Sequence, residues 1–143
     1  MNHCTRGFIK PGKINMIIDG QFGSTGKGAT AAKIAMDNDI QVACASLSPN
    51  AGHTFYENGV KKVTKLLPVC GIVGNNKRQQ IYLSANSIID TKILFEEIEK
   101  FDIDPNRVLI HPRAAVVTEE NRQEEARIGG IESIASTQSG TVS

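Results

Sequence analysis

Residues 14–36, INMIIDGQFGSTGKGATAAKIAM, constrain the fold more than any other stretch of the chain. An apolar run, a glycine-rich loop and a run of good helix formers follow one another without interruption. Ile14 to Asp19 reads as a buried first strand and Gly28 to Met36 as a helix. A loop of this kind turns sharply from strand to helix and lets backbone N–H groups converge on an anion at the helix start. Lys27 would add a point charge suited to phosphate. The spacing nevertheless departs from GxxxxGK[ST], the common phosphate-binding loop. Gly23 precedes Gly26 by three positions, and Gly28 stands where a hydroxyl would ligate magnesium. An ordinary Walker-type loop is not supported. Two readings stay open: a different kind of phosphate site, or a tight turn with Lys27 in solvent.

Beyond the loop, strand and helix signals alternate, which predicts an α/β fold, mostly parallel sheet with flanking helices. Gln41–Leu47, Ile81–Ala85 and the RVLIH segment ending at His111 read as strands. Asn58-Gly59 between two strand-like arms predicts a β-hairpin insertion. Asp90 is placed to cap a helix reaching Phe101, with Leu94, Ile98 and Phe101 on one face. Thr118 is placed to cap a helix whose Glu119 and Glu120 suit its positive end. Residues 129–143 are small and polar, without periodicity. The 143 residues suffice for one domain.

Composition narrows the partners. Sixteen basic and 15 acidic residues leave a formal charge of +1, which offers no electrostatic case for nucleic acid or a membrane surface. Cys4, Cys44 and Cys70 are widely spaced and odd in number, as expected of reduced thiols rather than a disulfide framework or zinc site. Nothing is long and apolar enough to span a bilayer, and MNHCTRGFIKPGK lacks the apolar run of a signal peptide. A cytoplasmic protein is the expectation.

A second constellation, SPNAGHTF at Ser48–Phe55, follows the second expected strand. In a parallel sheet this loop lies at the carboxyl edge, as the first loop does, and ligands bind at that edge. Asn50 offers an amide, Gly52 permits close backbone approach, and His53 has the chemistry of a general acid near neutral pH. The plainer alternative is a surface turn held by local bonds from Asn50 and Thr54.

Taken together, DGQFGSTGKGA, SPNAGHTF and KLLPVCGI resemble the adenylosuccinate synthetase family, whose members carry GxQWGDEGKGK, NNAGHT and LxPSGI in this order. SANSIIDTKILFEEIEKF is similar to the family's GxGVVVDPxxLxxEIExL, and IASTQSG to its IGTTGRG. The resemblance implies a carbon–nitrogen ligase. The γ-phosphate of a nucleoside triphosphate passes to the purine 6-oxygen, and the amine of L-aspartate then displaces phosphate at C6. Mg²⁺ is implied as the cofactor that neutralises the phosphates. By position, Thr25, Gly26, Lys27, Gly28, Ala29 and Thr54 correspond to triphosphate-binding residues. His53 takes the place of the catalytic acid, and Gly52 of a metal ligand through its carbonyl. Asn50, Ser136, Thr137 and Gln138 correspond to contacts with the nucleoside monophosphate.

One departure is informative. The family's loop aspartate, which removes the N1 proton of IMP and ligates magnesium, is replaced by Ser24. A serine hydroxyl is not a comparable base, although it can ligate metal or hydrogen-bond a purine edge. Ser24 therefore inherits the catalytic, metal and substrate position with changed chemistry. STGKG and STQSG resemble the phage branch that joins aspartate to dGMP with ATP or dATP, in making 2-aminoadenine nucleotides for phage DNA. A phage origin would place it in the host cytoplasm, and the family implies a homodimer. The alternatives are an ordinary synthetase using IMP and GTP, and a nucleotide-binding remnant without catalysis. Family members are considerably longer, so residues 1–143 correspond to the N-terminal portion of the nucleotide-binding domain.

Overall fold

A computed structural model describes residues 9–21, 25–73 and 78–124 of the chain. In chain order the elements are α1 (Lys27–Asp37), β1 (Val42–Ala45), β2 (His53–Glu57), β3 (Val60–Thr64), α2 (Val69–Ile72), β4 (Gln80–Leu83), β5 (Ile88–Ile89), α3 (Thr91–Lys100), a 3₁₀ turn (Pro105–Arg107), β6 (Val108–Ile110) and β7 (Ala115–Val116). The expected α/β class is borne out. Strands β1, β4 and β6 form a parallel sheet in that order, with Ala43 opposite Ile81 and Ile81 opposite Val108. The short strands β5 and β7 pair in parallel beyond them.

Local chemistry accounts for several elements. In the β2–β3 hairpin Glu57 lies opposite Val60, and Asn58 and Gly59 turn with φ of 52° and 79°. Both values are left-handed, as a two-residue turn matched to strand twist requires. Asp90 caps α3 by accepting the Ile93 N–H at 3.2 Å. Its Oδ2 also receives Arg122 Nη2 at 2.6 Å. Burial opposes ionisation of Asp90, but the bonds from Arg122 and Ile93 prevail and hold the carboxyl below its ordinary range. Thr118 and Asn121 cap the helical residues 119–124 reciprocally: Asn121 Oδ1 accepts the Thr118 N–H at 2.9 Å, and Thr118 Oγ1 accepts the Asn121 N–H at 3.3 Å.

Two apolar clusters hold the layers. Leu66, Leu67, Ile81, Leu83, Ile89, Leu94 and Ile103 pack α3 and the segment after the hairpin against the sheet. Ala32, Ala35, Phe55, Val69 and Val73 join α1, the hairpin and α2, the small alanines allowing close approach. Glu97 ties these layers together. Its buried carboxylate accepts N–H groups of Lys65 at 2.5 Å and of Leu66 and Leu67 at 3.0 Å, with Thr64 Oγ1 at 2.8 Å. The segment after the hairpin is thus fixed by a side chain about thirty residues away.

One expected element differs. Residues 14–19 join no ladder among the described residues, and Ile14, Met16 and Ile18 are 96%, 79% and 76% exposed. The expectation of a buried first strand is therefore corrected. A strand buried on both faces needs neighbours and a covering layer, and none among the described residues covers these side chains. Asn15 instead turns its side chain onto nearby backbone, accepting the Lys10 N–H at 3.0 Å and donating to the carbonyls of Lys10 and Lys13. Such local bonds compete with strand pairing. The sheet face carrying Val42, Cys44 and Leu109 is open in the same way.

Candidate nucleotide site at the start of α1

The amino end of α1 has the properties of an anion site. Gly26 enters the helix with φ of 84°, and among the described residues no side chain caps the first turn, which also contains no acidic residue. The first N–H groups lack partners within the helix, and the positive end of its dipole lies at this turn. Lys27 occupies this turn and forms an ion pair with Asp19, whose other oxygen accepts the Thr25 hydroxyl. The site supplies its own counter-charge, which an incoming phosphate must displace.

Gly28 joins the two functional loops. A Cβ at this position would lie 2.7 Å from the backbone oxygen of Thr54, nearer than a carbon and an oxygen can pack. The β2 backbone occupies the space that a serine or threonine side chain at this position would need. The contact brings the start of α1, with Lys27 and Gly28, beside His53 and Thr54. Asn50 and Gly52 lie in the exposed loop that runs into β2, where the Ser48 hydroxyl donates to Asn50 Oδ1.

His53 is half-buried and lies opposite Thr64 in the hairpin. Burial lowers its proton affinity, the charge of Lys27 lowers it further, and Glu97 acts in the opposite direction. The net effect keeps the imidazole neutral at pH 7 in the free protein. A phosphoryl group placed between Lys27 and His53 would offset the lysine charge and favour the imidazolium, the form able to donate a proton.

Ser24, Ser136, Thr137 and Gln138 fall outside the described residues. Arg113 is exposed, and its backbone N–H donates to His111 Nδ1 at 3.0 Å. Sequence reasoning missed Asp19 and Glu97. The carboxylate of Asp19 closes the apolar run just before the glycine loop, and that position was its only signal. Glu97 looked like one acid among several on a helix.

Known proteins resemble the chain in sequence and in fold. The pattern defining adenylosuccinate synthetase matches residues 16–142. The chain is 43% identical over 129 residues to N6-succino-2-amino-2'-deoxyadenylate synthase of Cyanophage S-2L, covering 88% of this chain and 34% of that protein. The enzyme of the same name from Vibrio phage phiVC8 is 40% identical, with 90% of this chain and 38% of the relative covered. Adenylosuccinate synthetase of Helicobacter acinonychis is 31% identical, with 88% and 30% covered. Among solved structures, Cyanophage S-2L succinoaminodeoxyadenylate synthetase bound to dGMP, and to dATP as an energy donor, superposes with a TM-score of 0.67 at 39% identity. That match covers 84% of this chain and 33% of the other. Fully ligated adenylosuccinate synthetase from Plasmodium falciparum gives the same TM-score at 26% identity, with 84% and 29% covered. The chain spans about a third of the length of these relatives. With the family pattern matching residues 16–142 and the relatives and fold in agreement, the chain belongs to the adenylosuccinate synthetase family.

Proposed function

We propose that residues 1–143 are the N-terminal portion of the nucleotide-binding domain of a ligase joining L-aspartate to C6 of a purine nucleoside monophosphate, dGMP. ATP or dATP is the phosphoryl donor, and the complete enzyme is a cytoplasmic homodimer. The observation that carries the reading is the packing of Gly28 on Thr54, which sets an uncapped helix start and Lys27 beside His53. Greater identity to the Cyanophage S-2L and Vibrio phage phiVC8 synthases than to the Helicobacter synthetase supports dGMP over IMP.

In this reading the N–H groups from Thr25 to Ala29 and the Lys27 ammonium hold the triphosphate after displacing Asp19. Thr54 borders the phosphates, and His53 donates a proton to the transferring phosphoryl group, stabilising its charge. The bond from the γ-phosphorus to the β–γ bridging oxygen breaks as the bond to the purine O6 forms, and the nucleoside diphosphate leaves. The aspartate amine then bonds to C6, and the O6–C6 bond breaks with release of phosphate. Asn50, Ser136, Thr137 and Gln138 orient the monophosphate. Ser24 contributes a hydroxyl to the purine edge, and the proton of guanine N1 leaves through a neighbouring group or water.

The donors at this edge suit Mg²⁺. The Asp19 carboxylate and Thr25 hydroxyl beside the site are hard oxygens. Mg²⁺ usually takes few protein ligands and completes its shell with phosphates and water. The Gly52 carbonyl and the Ser24 hydroxyl would hold it. When bound it neutralises charge on the phosphates.

The test is phosphate release by the longest product of this gene, with L-aspartate, Mg²⁺ and ATP or dATP. Release with dGMP and not IMP is expected. Release with IMP alone would return the protein to ordinary purine synthesis. Silence with both acceptors, together with measurable dATP binding, would favour a nucleotide-binding half-site.

A further inference from the structure

Asp19 ends the segment before the glycine loop, and both of its carboxylate oxygens are held. Oδ1 accepts the Thr25 hydroxyl and Oδ2 the Lys27 ammonium. Ser24 directly precedes Thr25 in the chain. The Thr25 bond therefore fixes the Asp19 carboxylate next to the residue that follows the family's aspartate position. The Asp19 side chain keeps 24% of its surface exposed. A Cβ at Gly20 or at Gly26 would meet nothing within 4 Å, so the chain beside the carboxylate and the helix start are both open to a ligand.

The groups around it decide what this carboxylate can do. An ionised carboxylate offers about four lone-pair sites, and these two bonds use one on each oxygen. A triphosphate carries more charge than one carboxylate, so its arrival draws Lys27 away and frees Oδ2. Thr25 goes on orienting the carboxylate through Oδ1. The other candidates near the helix start are committed. Glu97, the carboxylate that acts on His53, is buried and already accepts from Thr64, Lys65, Leu66 and Leu67. His53 serves the phosphoryl group, and the hydroxyls of Thr25 and Thr54 are not bases at neutral pH.

We propose that Asp19 is the base of the first step: once phosphates withdraw Lys27, Asp19 Oδ2 accepts the N1 proton of the bound guanine. The assignment rests on the reading of the chain as a dGMP-using ligase and names the group that this reading leaves open. The N1–H bond breaks, its electron pair passes through the ring to O6, and O6 forms its bond to the γ-phosphorus. A carboxylate is a weaker base than the ring anion, so proton and phosphoryl transfer proceed together and no free anion accumulates. The proton then leaves Asp19 for solvent along its exposed side. The ion pair with Lys27 makes the base available only when a donor phosphate is present.

The test uses the longest product of this gene with ¹³C-labelled aspartate carboxyls, the Asp19 resonance being identified by its loss in Asp19→Asn. Metal-free tripolyphosphate should move that resonance as Lys27 turns to the phosphates. Addition of dGMP should move it again, and 1-methyl-dGMP, which has no N1 proton, should not. In turnover with dGMP, dATP, L-aspartate and Mg²⁺, Asp19→Asn should lower kcat at least about a hundredfold. The same variant should bind tripolyphosphate as tightly as before or more so, and Asp19→Glu, which keeps a carboxylate, should recover part of the lost rate. Loss of binding and turnover together in Asp19→Asn would show a structural role and overturn the proposal. A kcat for Asp19→Asn within about threefold of the unmutated protein, far short of a lost base, would overturn it and leave the nucleotide reading standing. An Asp19 signal indifferent to bound dGMP would do the same, and this titration decides the matter in a protein that binds without turning over. Absence of both tripolyphosphate and dGMP binding would overturn the nucleotide reading as well.

Discussion

Replacing Gly28 with alanine tests the contact on which the candidate site is built. The added Cβ would lie 2.7 Å from the Thr54 oxygen and 3.4 Å from that residue's backbone carbon and nitrogen. These are backbone atoms of a paired strand and cannot swing aside as the end of a side chain could, so α1 must withdraw from β2. Overpacking of this kind costs about 1–3 kcal/mol. Alanine returns up to about 1 kcal/mol through helix propensity, and less in a first turn. A net loss of about 1 kcal/mol is expected, or a fall in melting temperature of about 5 °C for a domain of this size. Urea unfolding of Gly28→Ala beside Gly20→Ala gives the measurement, because a Cβ at Gly20 meets nothing within 4 Å. The same displacement separates the helix start from His53, so dATP affinity should drop roughly tenfold, equivalent to about 1.4 kcal/mol. A Gly28→Ala protein with unchanged stability and undiminished dATP affinity would refute the reasoning.

Three further perturbations follow from named contacts. Glu97→Ala strands the N–H groups of Lys65, Leu66 and Leu67 and should cost about 3 kcal/mol or more in urea unfolding; a loss below about 1 kcal/mol would show that water replaces the carboxylate. Asp19→Asn frees Lys27 from a partly exposed ion pair worth about 0–1 kcal/mol. Pyrophosphate binding without metal, followed by calorimetry, should therefore strengthen by up to about fivefold, whereas weaker binding would show that Asp19 supports the ligand. His53 has a lowered folded-state pKa, so just below its ordinary value of about 6.5 the unfolded chain takes up a proton that the folded chain refuses. Stability is lost as pH falls through that window. His53→Gln should flatten this part of the urea-midpoint profile, and an unaltered profile would remove His53 as its source.

The sequence by itself determined what depends on neighbours in the chain. Asn58-Gly59 specifies its hairpin because both residues tolerate left-handed backbone, and Asp90 specifies a helix start because its acceptor is three residues away. The alternation of apolar runs and helix formers carried the α/β class, and the order of motifs carried the family. Tertiary structure decided the rest. Residues 14–19 have the composition of a buried strand, but burial requires partners that composition cannot supply, and Ile14 stands in solvent. Glu97 serves donors thirty or more residues distant, so nothing near it in sequence marks it. Gly28 carries a positional demand imposed by the Thr54 backbone. Backbone preferences act over a few residues and are written locally, whereas close approach, burial and charge pairing depend on which distant segments meet, and only the folded chain fixes that.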